Sequence, residues 1–226
     1  MTRELIHTQG RIYLLAGNPR RGRTGPDPLL VRMFGHLAVP LPRIAYVGAA
    51  SGDDRGFFAM MKRMVVEAGA GVVELVPLAG CARVEARATE TLERADLVYV
   101  GGGDVEEGMR VLAECGADMI LARLFRTGKP FLGLSAGSIM LGQAWVRWRD
   151  PEDDTTAGRF PCLGFAPFAC DTHDEDSDWE ELRMLLTLSP KGSLGYGIPA
   201  GGGIIVEADG AVTPCCDCFL ARAPDS

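Results

Sequence analysis

Gly133-Leu134-Ser135-Ala136-Gly137 sets a serine between two glycines, where the apolar run 131–134 meets the helix-like stretch Ser138-Ile139-Met140-Leu141. A G-x-S-x-G string between a strand and a helix makes a sharp turn that exposes the hydroxyl as a nucleophile, and the helix start favours negative charge beside it. The competing reading is a glycine-lined helix start capped by Ser135. Gly101-Gly102-Gly103-Asp104 closes a second apolar run. Glycine lets backbone approach a ligand closely, so the N–H groups of Gly102 or Gly103 could join that of Ala136 as donors to an oxyanion. Asp104 reads equally as a helix N-cap. The later glycine that a dinucleotide-binding loop requires is absent.

A serine hydroxyl needs a base, and histidine is the usual one. The chain has three histidines. His7 lies in a terminal stretch and His36 on a polar helix face, which leaves His173, in Asp171-Thr172-His173-Asp174, as the choice by elimination. The acid that would orient it is left open by spacing. Asp150, Glu152, Asp153 and Asp154 follow the serine, and Asp171 and Asp174 flank the histidine.

These residues need elements to hold them. Runs at 11–16, 43–47, 72–78, 96–100 and 130–134 read as buried strands; they alternate with helical patterns at 29–37, 53–68, 89–94 and 105–127, the last broken near Gly116. That alternation predicts an α/β fold, a mostly parallel sheet sandwiched by helices. Ser51 and Asp53 are candidate caps for the second helix, and its methionines 60, 61 and 64 read as core. Residues 149–161 read as a loop, 163–170 as a strand and 179–188 as a helix. A short β region over 195–220 closes the chain, with turns at Gly201-Gly202-Gly203 and Asp209-Gly210.

The 226 residues, 47% hydrophobic and 23% charged, suit one packed domain. A formal charge of −7 and a pI near 5.0 argue against nucleic acid or an anionic membrane as partner. Arg20, Arg21 and Arg23 form a short basic cluster that reads as solvated. No apolar run reaches the length of a membrane span and residues 1–10 lack a signal-peptide core, so the expected location is the cytoplasm. Seven dispersed cysteines read as reduced thiols. Cys215, Cys216 and Cys218 lack the second ligand pair of a structural zinc site and read as a terminal strand or turn. Neither metal nor cofactor is expected.

In family order across most of the chain run Tyr99-Val100-Gly101-Gly102-Gly103-Asp104, the serine turn through Ser138, the segment ending at His173, and Gly197-Ile198-Pro199-Ala200-Gly201 leading to Ile204-Ile205-Val206-Glu207. This set resembles the serine peptidase family of aspartyl dipeptidase (dipeptidase E) and cyanophycinase. The resemblance implies a class I glutamine amidotransferase-like fold, with Ser135 as nucleophile, His173 as base, Asp150 as acid (Glu152 in the cyanophycinase branch), and Gly102 or Gly103 with Ala136 as oxyanion hole. It implies acyl-enzyme hydrolysis of a small peptide or isopeptide, with no cofactor; a homodimer is left open. An esterase or amidase using the same triad, and a ligand-binding member without catalysis, are the alternatives. The family's Asn after the glycine run is Asp104 here. In place of the arginine with which dipeptidase E grips an aspartyl side chain stands the acidic run from Asp174 to Glu181, leaving Arg159 or Arg183 to supply that charge. An acidic rim would repel aspartate and attract an amine.

Overall fold

A computed structural model describes residues 9–17 and 25–224 of the chain. His7, Arg20, Arg21 and Arg23 lie outside the described residues.

The apolar runs form the parallel strands β1 (Ile12–Leu15), β2 (Arg43–Val47), β3 (Val72–Val76), β4 (Leu97–Val100) and β5 (Phe131–Leu134). Two later strands extend the sheet, β10 (Gly203–Val206) antiparallel to β1 and β11 (Val212–Pro214) antiparallel to β10, giving a seven-stranded order β11-β10-β1-β5-β4-β2-β3. Both faces of the sheet are covered, which is why the central strands β1, β4 and β5 are continuously apolar. Alternate residues such as Leu14, Val47, Val100 and Phe131 pack under α3 (Ala86–Arg94), α4 (Val105–Cys115), α5 (Ala117–Arg126) and α6 (Ala136–Leu141). Their neighbours Tyr13, Leu15, Tyr46, Tyr99 and Leu134 face α1 (Pro28–Gly35) and α2 (Arg55–Glu67). The break at Gly116 is a left-handed residue, φ 75°, that ends α4 and opens α5.

The expected cap of α2 shifts by one residue. Asp54 accepts from Phe57 N at 2.6 Å, while Asp53 turns away to accept from the backbone of Leu78 and Ala79 at 2.5 and 2.7 Å.

A smaller layer follows. The stretch 149–161, expected as a loop, is the turn and second strand of a hairpin between β6 (Ala144–Trp148) and β7 (Ala157–Pro161). The strand expected over 163–170 shortens to β8 (Ala169–Thr172). Leu163 and Phe165 instead donate their N–H groups to Met140 and Leu141, carbonyls at the end of α6. β8 pairs parallel with β9 (Leu194–Ile198), which pairs antiparallel with β12 (Phe219–Arg222). Against these packs α7 (Glu180–Thr187), through Leu182, Leu185 and Leu186. Cys215, Cys216 and Cys218 occupy the turn between β11 and β12, with Cys216 and Cys218 sulfurs 3.1 Å apart and every cysteine free. No helix among the described residues is long and apolar enough to cross a membrane.

Candidate active site

In an open parallel sheet, ligands bind beyond the carboxyl ends of the strands. β5 ends at Ser135, β4 at Gly101-Gly102-Gly103 and β1 at Ala16-Gly17. β8 ends at His173 beside them.

Ser135 sits at φ 53°, ψ −123°, outside the comfortable regions for an L-residue, a strain that surrounding structure must hold. Two glycines permit the turn. A Cβ at Gly133 would lie 2.6 Å from the Ser138 backbone, and one at Gly137 only 2.1 Å from the Val100 carbonyl oxygen. Ser138 fastens the helix start to β1: its buried Oγ accepts from Leu15 N at 3.0 Å and donates to Leu15 O at 2.8 Å. Ser135 N donates to the same Leu15 carbonyl at 2.9 Å.

The Ser135 side chain does not cap the six-residue α6. Its Oγ instead lies 2.8 Å from His173 Nε2. His173 also holds a positive φ, 47°, and is pinned where β8 ends by its N–H donating to Ile198 O at 2.9 Å. Whichever tautomer holds, one hydrogen joins the hydroxyl to the imidazole; with Nδ1 protonated, Nε2 accepts.

The glycine run passes directly over the serine. A Cβ on Gly102 would stand 3.3 Å from Ser135 Cβ and 3.8 Å from its Oγ. Gly103, at φ 141°, runs so close to Ala50 that any side chain would strike that carbonyl. Among the described residues the N–H groups of Gly102, Gly103 and Ala136 bond no acceptor, whereas those of Gly101 and Asp104 on either side are used by Val47 and Ala50. Asp104 does cap α4, accepting from Glu107 N at 2.8 Å.

Among the described residues, neither Asp150 nor Glu152 bonds His173 or lines the cavities that it borders. Both are exposed in the β6–β7 turn, where Asp150 accepts from Glu152 N at 3.1 Å and its own N–H donates to Thr156 Oγ1. The hairpin that sequence periodicity did not reveal holds them in its turn; Asp153 caps its short turn and Asp154 accepts from Trp148 Nε1. The carboxylates that line the smaller of two cavities bordered by Ser135 and His173, about 260 Å³, are Asp104, Asp171, Asp174 and Glu181. Glu181, missed in the sequence because it depends on packing α7 against β6, accepts from Trp145 Nε1 at 2.6 Å. Asp171 is 6% exposed and accepts from Thr172 N at 2.7 Å, but its Oδ2 and that of Asp174 are buried without a partner. Burial above all, then the charges of Glu181 and Asp174, pushes the Asp171 carboxyl up to about 7 despite the Thr172 bond. Burial raises Glu181 as well.

On the opposite side Ser135 and His173 border a larger cavity of about 690 Å³. Its wall includes Leu30, Phe57, Met60, Met61, Met64 and Leu134. The reading of these methionines as core holds for Met61, buried beneath the Tyr99 hydroxyl at 3.3 Å, but Met60 is 44% exposed and Met64 half-buried at the cavity edge. No Arg or Lys among the described residues lines either cavity. Arg183 pairs with Asp178 and lies over the Phe219 ring, and Arg159 stands on β7 beside Arg147 and Arg149.

Residues 21–213 match the sequence profile of Peptidase family S51. A curated relative, Peptidase E of Streptomyces coelicolor (strain ATCC BAA-471 / A3(2) / M145), is 27% identical over 213 residues, 89% of this chain and 82% of its own. The fold is similar to that of a peptidase from an acI-B1 Actinobacterium, with TM-score 0.67, 14% identity and 97% and 96% of the two chains covered. A structure from Listeria monocytogenes EGD-e is also similar, with TM-score 0.62, 16% identity and 95% and 98% covered. With the profile spanning most of its length, the chain belongs to peptidase family S51, as a serine-type peptidase.

Proposed function

We propose that the protein hydrolyses small peptides or isopeptides through an acyl-enzyme on Ser135, with His173 as general base. The observation that carries this reading is the 2.8 Å contact between Ser135 Oγ and His173 Nε2, the proton path that a serine nucleophile needs. A contact this short weighs against a ligand-binding protein without catalysis.

As Oγ bonds the scissile carbonyl carbon, Nε2 takes its proton and the carbonyl oxygen becomes an oxyanion, for which the unbonded N–H groups of Gly102, Gly103 and Ala136 are the proposed donors. The imidazolium then gives that proton to the amide nitrogen, the C–N bond breaks and the amine leaves. Water, losing a proton to His173, attacks the ester, and Oγ recovers a proton as the acid departs. The imidazolium is formed next to Asp171, Asp174 and Glu181, and we assign its charge stabilisation to this group instead of to Asp150 or Glu152.

Peptide and isopeptide mixtures incubated with the protein and read by mass spectrometry test the reading, with matched esters to compare the acyl groups accepted. Hydrolysis by the parent that is absent in Ser135→Ala is expected. Equal hydrolysis by both proteins would overturn it.

A further inference from the structure

The 690 Å³ cavity beside Ser135 is of the size that holds a small ligand. Its wall is apolar: Leu30, Phe57, Met60, Met61, Met64 and Leu134 enclose it, and methionine adapts to varied apolar shapes. Asp27 is the lone carboxylate among the described lining residues, and its Oδ1 already accepts from the N–H groups of Leu29 and Leu30 at 2.8 and 3.4 Å. No described cation faces the space, so an aspartyl side chain placed there would lose hydration, find no partner among the described residues and meet Asp27. An apolar side chain would gain by burial what the acidic one would lose.

We infer that this cavity is the subsite for a large apolar side chain, such as Leu, Met or Phe, flanking the scissile bond of the peptide substrate. The inference rests on the proposed peptidase reading of Ser135. Phe57, Met60, Met61 and Met64 fall on one side of α2 through i, i+3 and i+4 spacing, so a single helix supplies one apolar side of the wall. Met60 and Met64, exposed and half-buried, are the rim past which the side chain enters.

The test is kcat/KM over two dipeptide series, X-Ala and Ala-X, with X as Ala, Leu, Met, Phe, Asp or Lys, alongside fluorophosphonate labelling of Ser135 in the same preparation. In one series Leu, Met and Phe are expected to exceed Ala by about 10- to 100-fold, with Asp below Ala. Met60→Glu and Met64→Glu, at positions where α2 tolerates a polar side chain, should each reduce the Phe-to-Ala ratio by about 10-fold or more. Circular dichroism of each variant confirms its fold before the ratio is read. Labelled protein that shows no apolar preference in either series, or prefers Asp, would overturn the subsite and leave the serine peptidase reading standing. Protein that neither labels nor hydrolyses any member would overturn both.

Discussion

Ser135 and His173 both hold positive-φ backbone conformations, φ 53° and 47°, while their side chains meet at 2.8 Å. Neither is glycine, and each such residue costs of order 1 kcal/mol or more, so the contact exists because the surrounding structure imposes it. The Ser138 clamp on Leu15 and the His173 N–H bond to Ile198 are the restraints that impose it.

Removing the first restraint should therefore loosen the turn. Ser138→Ala leaves buried Leu15 N without that acceptor, for an expected loss of about 1–3 kcal/mol, read as a melting temperature lower by several degrees. An unchanged melting temperature would mean that the clamp is not needed.

The two neighbouring glycines should separate activity from stability. Gly102→Ala adds a methyl 3.2 Å from the Leu134 carbonyl oxygen and 3.8 Å from Ser135 Oγ, in space that substrate needs, so kcat/KM is expected to fall by about 10- to 100-fold with a smaller loss of melting temperature than Gly137→Ala. Gly137→Ala drives a methyl to 2.1 Å from Val100 O and should cost stability first, by roughly 2 kcal/mol or more. Equal effects on melting would contradict this distinction.

The carboxylates can be told apart in the same way. Asp150→Asn, altering an exposed side chain in a hairpin turn, should leave kcat/KM within about threefold of the parent. Asp174→Asn, which removes a charge on the cavity shared with His173, should lower it by about 10-fold or more. The reverse order would restore Asp150 as the orienting acid.

Asp171 gives a pH signature in stability. Its carboxyl titrates near 7 when folded against 3.8 ordinarily, so the folded state keeps a proton that the unfolded chain releases. Stability from this group is complete below about pH 4 and declines as pH rises to about 7. Asp171→Asn imitates the protonated form and keeps an acceptor for Thr172 N. Urea unfolding should show parent and variant similar near pH 4.5, and the variant steadier by roughly 2–4 kcal/mol at pH 8. Parallel curves across that range would rule the shift out.

What could be read in advance follows from how local each cause is. The central parallel strands β1, β4 and β5 are apolar along their whole length because both faces are buried, and the serine turn carries its own glycines, so both are visible in consecutive residues. The β6–β7 hairpin was not, since β6 alternates large side chains on both faces, with Trp145 and Arg147 between Ala144, Val146 and Trp148. The apolar run 163–168 satisfies its N–H groups on the end of α6 instead of in a ladder, which no periodicity reveals. The family resemblance implied Asp150, and spacing left the acid open, whereas Glu181 lines the cavity with His173 because α7 packs across β6 and β8. The methionines on α2 satisfied the helical pattern of core residues, and only the open space beside Ser135 makes two of them a rim.

The most direct test of the central claim is intact-protein mass spectrometry after fluorophosphonate treatment, with peptide mapping, of the parent, Ser135→Ala and His173→Ala. One adduct on Ser135, absent in Ser135→Ala and formed at least about 100-fold more slowly in His173→Ala, is the predicted result. An adduct on another residue, or one on Ser135 that forms as fast without His173, would contradict an activated Ser135–His173 pair.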